Sequence, residues 1–204
     1  MSESPTDGTT VNGGTYTGVD WYGDELVGVV FEACTFADVD LTEATTRGVT
    51  FRECTFHTCR FNASTHLSTA FVAADFRRCN FFDATFDGCK LDGSVFAECT
   101  LRPMKVTGGQ WRSVTLRGAN LGGLDLSGAD LRDSDLSMAD LTAAVLRDAR
   151  LDGSTLRETT LTKADLRGAS LAGVDLREAT LKDTRFDLPG AVHLAELYGA
   201  VVEP

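Results

Sequence analysis

Histidine is scarce: only His57, His66 and His193 occur in 204 residues, and none stands at a metal-ligand spacing such as H-E-x-x-H. No G-x-S-x-G nucleophile elbow is present, and neither Gly13-Gly14 nor Gly122-Gly123 is followed by the Lys-Ser/Thr of a phosphate-binding loop. Asp133-Ser134-Asp135 opens like a calcium loop, but Met138 stands where that loop needs glycine. No catalytic constellation remains, so neither an enzymatic activity nor a cofactor is expected. Apolar runs are a few residues long, far short of the roughly 20 needed to cross a bilayer. Residues 1–14 are polar and lack the apolar core of a targeting signal, so a cytoplasmic location is expected. Cations are in deficit too: 19 Lys and Arg face 30 Asp and Glu, a net charge of −11. Direct binding to nucleic acid or to an anionic membrane is therefore disfavoured. The deficit is uneven, with 15 acidic and 6 basic side chains in residues 1–100 against 15 and 13 in residues 101–204.

What the chain does have is a beat of five. From Tyr16 to Phe186 in steps of five, 33 of 35 residues are aromatic or aliphatic, and all 14 from Leu116 to Leu181 are leucine. Neither a helix (3.6) nor a flat strand (2) has that period. A chain that turns a corner once per pentad does. Four corners close a square, so about 20 residues make one coil of a solenoid. The core ladder is read as Phe31, Phe51, Phe71, Leu116, Leu121, Leu126, Leu131, Leu136 and Leu141. The slot two residues earlier is small and also faces inward, as at Val39, Ala44, Ser64 and Ala129. All six cysteines (Cys34, Cys54, Cys59, Cys79, Cys89, Cys99) occupy it. They are read as buried, inert thiols: stacked parallel Cβ vectors do not favour a disulfide, and a straight column cannot converge tetrahedrally on zinc.

Phenylalanine fills the interior before the middle of the chain and leucine after it. A seam is expected over Pro103 to Trp111, where Pro103 lacks a donor, Met104 is large for its slot and Gly109 leaves its slot empty. Only Thr46 and His66 break the large inward slot, and their spacing of 20 stacks them. They form either a satisfied polar pair or a protrusion near residues 44–48 or 64–69. The expected organisation is a flexible tail over 1–14, a β-helix over 15–186 and a C-terminal helix and tail over 187–204. Asp187-Leu188-Pro189 gives that helix an acidic cap and an early proline, and Gly199 ends it.

The pentads Ala129-Asp130-Leu131-Arg132-Asp133 and Ala164-Asp165-Leu166-Arg167-Gly168 carry a recognisable pattern. Through it, residues 16–186 resemble the pentapeptide-repeat family. The resemblance implies an all-β fold, a right-handed quadrilateral β-helix. Cys99-Thr100-Leu101-Arg102-Pro103, the leucine run after it and the short tail resemble MfpA-type members, with Qnr-type gyrase-protecting proteins as functional cousins. That likeness implies DNA gyrase as partner, inhibition of the enzyme or protection from quinolones, and a homodimer through the C-terminal region. Val192, Leu194, Leu197 and Tyr198 are the candidate dimer residues.

At ~4.8 Å per coil, about 8.5 coils give a rod roughly 40 Å long, and a square coil roughly 20–25 Å across approaches the width of duplex DNA. Such an acidic rod suits a positively charged DNA-binding saddle. The candidate gyrase-facing acids are Asp24, Glu25, Glu32, Asp38, Asp40, Glu43, Asp75, Asp83, Asp87 and Asp92, chosen for their place in the acidic half. The alternative is a generic interaction scaffold whose protein partner is not a topoisomerase.

Overall fold

On three of its four sides, the amino-terminal half folds each pentad into a strand of three or four residues and then turns. A computed structural model describes residues 5–203. Strands β1 (Thr10–Asn12), β4 (Val30–Glu32), β7 (Thr50–Arg52) and β10 (Ala70–Val72) form one parallel sheet, called side 1. Side 2 holds β2 (Thr15–Thr17), β5 (Thr35–Ala37), β8 (Thr55–His57), β11 (Asp75–Arg77) and β13 (Val95–Ala97). Side 3 is a ladder of single parallel bridges through Asp20, Asp40, Arg60, Asn80 and Thr100. Side 4 holds β3 (Glu25–Val27), β6 (Thr45–Arg47), β9 (Thr65–Leu67), β12 (Ala84–Asp87) and β14 (Met104–Thr107). Every pairing joins residues 20 apart, such as Phe31 to Phe51. The coil period inferred from sequence is therefore the physical one. About five coils carry regular strands, and the same ladders continue as single bridges to Arg185. The chain is a right-handed quadrilateral β-helix.

The solenoid starts earlier than the sequence reading placed it. Thr10–Asn12 pairs with Val30–Glu32, so part of the expected tail is an edge strand; residues 1–4 lie outside the described part. Val11, partly buried against the core, anchors this first strand.

The corners have a rule of their own. The residue two places after most large inward side chains takes a left-handed conformation, including 19 non-glycine residues with φ between 48° and 62°; Pro103 and Glu178 do not. Fifteen of the 20 glycines stand in that slot, where the missing Cβ removes a cost of roughly 1–2 kcal/mol per residue. Most corner N–H groups are then used in the ladder, as Ala33 N donating to Arg52 O at 2.9 Å.

Inside, Phe31, Phe51 and Phe71 stack with centroids 5.0 and 4.9 Å apart, and Phe36, Phe56, Phe76 and Phe96 repeat at 4.7 Å. These distances match the spacing of neighbouring strands. Adjacent columns meet edge to face, as Phe51 with Phe56. Leu116, Leu121, Leu126, Leu131, Leu136 and Leu141 are all buried.

The seam is real. On side 3 the ladder stops at Thr100 and resumes at Asn120, and on side 4 it stops at β14 and resumes at Asp125. Sides 1 and 2 run through, by Lys90–Gln110–Asp130 and Val95–Thr115–Asp135. The rod thus opens on two adjacent sides and stays closed on the others. Arg102 spans the opening, its Nη1 donating to Asn120 Oδ1 at 3.0 Å. The expected vacancy at Gly109 is not there. A Cβ on that residue would lie 2.6 Å from Cys89 O and 3.1 Å from Trp111 Nε1, because the backbone of the preceding coil and the indole close the space.

Helix α1 (Leu188–Leu197) closes the carboxyl end, with Asp187 as its cap. Asp187 has two partners: Oδ1 accepts from Gly190 N at 3.0 Å, and Oδ2 accepts from Gly168 N of the last coil at 2.8 Å. His193 Nε2 donates to Val174 O at 2.8 Å. A short helix thereby satisfies groups that an open sheet edge would leave unpaired.

Candidate functional site

Among the described residues, single buried hydroxyls such as Ser94, Ser154 and Thr159 donate to the carbonyl of a preceding coil, and the one buried imidazole sits in a denser polar cluster. Thr46, Ser64, His66 and Thr69 are fully buried on side 4. Thr46 Oγ1 lies 2.8 Å from His66 Nδ1 and 2.7 Å from Thr69 Oγ1, and Ser64 Oγ lies 2.9 Å from His66 Nε2. Ser64 donates its hydroxyl hydrogen to Phe61 O, so it accepts from His66 Nε2–H. His66 Nδ1 then accepts from Thr46, and Thr46 accepts from Thr69. Every group is satisfied with a neutral imidazole, and burial pushes the His66 pKa down to about 3. Of the two alternatives, the satisfied polar pair is the one present. β6 and β9 keep register with their neighbours, with no protrusion.

The cysteines sit in the small inward slot, each Sγ near the carbonyl two residues earlier and one in the preceding coil. Burial raises the thiol pKa of Cys54 to about 12 and of Cys89 to about 11, which keeps them protonated and unreactive. Among the described residues no group of three His, Cys, Asp or Glu side chains could hold a metal, and no helix is long and apolar enough to cross a membrane.

What remains is the outer surface. The ten candidate acids do not gather on one face. Glu32 and Asp92 lie on side 1, Asp38 and Asp75 on side 2, Asp40, Glu43 and Asp83 on side 3 or its corner, and Asp24, Glu25 and Asp87 on side 4. Five are ion-paired: Glu25 with Arg47 at 2.6 Å, Glu32 with Arg52 at 3.1 Å, Asp40 with Arg60 at 2.7 Å, Asp75 with Arg77 at 2.8 Å and Asp83 with Lys105 at 3.3 Å. Asp38 accepts from the Thr58 hydroxyl. Among the described residues, Glu43, Asp87 and Asp92 have no cation at ion-pair distance, and neither do Asp20, Glu53 and Glu98, which are not among the candidates.

Asp40 also shows why the outward Asp/Asn slot recurs on side 3. Its Oδ1 accepts from Thr42 N at 3.0 Å, as Asp20 does from Tyr22 N and Asn80 from Phe82 N. These carboxylates and amides cap local turns. Two exposed aromatic side chains, Tyr22 and Phe82, stand beside those caps. Their signal was an aromatic one place after the large inward slot.

The carboxyl half is neutralised differently. Asp130 is nearly buried between Arg112 and Arg132, at 2.8 and 2.7 Å, with Arg150 at 3.7 Å. Those hydrogen bonds, Arg132 foremost, hold its carboxyl well below the usual carboxylate range. Asp165 is held likewise by Arg167 and Arg147. Of the candidate dimer residues, Leu194 and Leu197 turn inward and pack against the core, Val192 is half-buried and Tyr198 is exposed. Leu188, Val201 and Val202 are exposed beside them.

A square β-solenoid with a ring-and-leucine core and corners in the left-handed region is the architecture of a repeat protein. The pentapeptide-repeat family model matches in eight copies over residues 69–102, 112–148 and 144–183, more than half of the chain, and the protein belongs to that family. Among solved structures, a trypsin-treated form of QnrB1, described as a plasmid-mediated fluoroquinolone resistance protein, is similar with a TM-score of 0.76. It is 18% identical, over 94% of this chain and 99% of that one. Full-length QnrB1 gives a TM-score of 0.66 at 18% identity, over 94% and 100%. At this identity the likeness is one of fold. A comparison with curated protein sequences gives no match.

Proposed function

We propose that this protein binds DNA gyrase, a type II topoisomerase, as a mimic of duplex DNA. Acting in the cytoplasm and without catalysis of its own, it inhibits the enzyme or shields it from quinolones and other gyrase poisons. The observation that carries the reading is a square solenoid whose amino-terminal half holds 15 acidic against 6 basic side chains. A basic DNA-binding saddle reads such an object by shape and field, with no base contacts. The fold shared with QnrB1, itself described as a fluoroquinolone resistance protein, supports the same direction. A homodimer through the carboxyl-terminal region would lengthen the rod, and the exposed Leu188, Tyr198 and Val201 support it; light scattering should then give twice the monomer mass. The functional test is a gyrase supercoiling assay with increasing protein, read together with quinolone-induced cleavage. Inhibition or reduced cleavage is expected. If neither readout changes, the gyrase reading is wrong and a scaffold with another protein partner replaces it.

A further inference from the structure

Side 3 of the amino-terminal half combines two features found together nowhere else among the described residues. It carries both exposed aromatic side chains of the solenoid body, Tyr22 at 55% and Phe82 at 51% exposure. It is also the most acidic side: between residues 20 and 83 its outward positions hold Asp20, Asp40, Glu43 and Asp83 against Arg60 alone. Side 1 mixes Glu32, Glu53 and Asp92 with Arg52 and Lys90, and side 2 mixes Asp38, Asp75 and Glu98 with Arg77 and Arg78.

Tyr22 and Phe82 occupy the same slot of the pentad, three coils apart, which places them about 14 Å from each other along the rod. Thr42 and Asn62 lie between them in one column. Both rings rise from the same kind of capped turn, Tyr22 N donating to Asp20 Oδ1 and Phe82 N to Asn80 Oδ1, each at 3.0 Å. Their backbone directions are therefore fixed before any partner arrives. Among the described residues neither ring meets another aromatic, whereas the buried rings one residue earlier do: Trp21 lies tilted against Tyr16 and Phe81 stacks on Phe61. Exposed rings on rigid backbone are the usual anchors of protein interfaces: they bury large area at low entropic cost.

Building on the gyrase reading above, we propose that side 3 between Asp20 and Asp83 is the docking face. Its occupant is a basic, DNA-binding protein surface with two apolar recesses for Tyr22 and Phe82. The acids steer the encounter and the rings hold the complex, so the two sets of side chains act on different rate constants.

The test uses full-length protein and purified gyrase, with binding followed in real time at low and at high salt. Tyr22→Ser with Phe82→Ser should weaken binding by about tenfold or more, chiefly through faster dissociation. Glu43→Lys with Asp83→Lys should slow association and flatten its salt dependence. Glu53→Lys with Asp92→Lys, on side 1, serves as the control and should change affinity by no more than about twofold. All six positions are at the surface, and circular dichroism of each variant confirms the fold. If wild type binds and both side 3 pairs bind as it does, the docking face is wrong while gyrase binding stands. If wild type does not bind, both the face and the gyrase reading fall.

Discussion

The two halves of the rod fill the same inward slot with different side chains and treat charge in opposite ways. From Tyr16 to Phe96 the interior is mainly stacked rings and the ladders on three sides are regular strands. Beyond the seam it is leucine, and the ladders thin to single bridges. Outside, the first half leaves Glu43, Glu53, Asp87 and Asp92 without ion pairs, whereas the second surrounds Asp130 and Asp165 with arginines. One repeat thus supports two surfaces. The inward slots set the fold and leave three outward positions per pentad free to vary, so charge can change along the rod without changing its shape.

Substitutions in the ring stack should separate the halves most strongly. Phe56→Ala removes a ring that meets five others and should cost about 3–5 kcal/mol in denaturant unfolding. The reciprocal swaps are sharper. Phe56→Leu should lose the stacking contribution of about 0.5–1.5 kcal/mol per ring pair, and Leu141→Phe should cost about 1–3 kcal/mol by overpacking. Equal stability of both swaps with wild type would mean that the two interiors are interchangeable.

Acid should unfold the first half through His66. With the folded pKa held near 3, the unfolded chain binds a proton that the folded one does not as pH falls below about 6.5. Stability should drop by up to about 1.4 kcal/mol per pH unit across that window and recover on return to neutral pH. His66→Phe should flatten that slope in denaturant titrations at pH 6.5 and pH 5; an unchanged slope would place the acid sensitivity elsewhere.

The surface of the second half should respond through its arginine-clasped carboxylates. Asp130→Asn leaves Arg112 and Arg132 without their shared carboxylate and should cost about 1–3 kcal/mol at neutral pH. Because the carboxyl pKa is depressed, that stabilisation is present above the ordinary carboxylate pKa and is lost as pH falls through the folded value. The difference between wild type and Asp130→Asn should therefore narrow only below about pH 4. Its persistence in stronger acid would argue against the ion-pair cause.

Much of this was legible in residues met one at a time. The beat of five placed Phe31, Phe51 and Leu131 inside, and Asp187 with Pro189 marked the start of the helix. The seam at Pro103 to Trp111 followed from three residues that break the slot rules. Other features were not read. Glycines every fifth position, such as Gly88 and Gly93, signal a left-handed corner, yet a periodicity search tuned to hydrophobes passes over them. Thr10–Asn12 reads as tail in the sequence because only Val11 among those residues carries the pattern. The candidate acids were chosen by position along the chain, and chain position says nothing about which of four sides a residue occupies until the corner slots are assigned.

Composition and period, taken alone, determined a square stack with a dry interior and an acidic leading half, because burial of one large side chain per pentad admits few other solutions. The tertiary structure alone decided which carboxylates are spent on turns and arginines and which face solvent. It also decided where two rings emerge on one face, and that Leu194 and Leu197 turn toward the last coil. Those outcomes depend on neighbours 18 to 23 residues away, contacts that arise only when one coil lies upon the next.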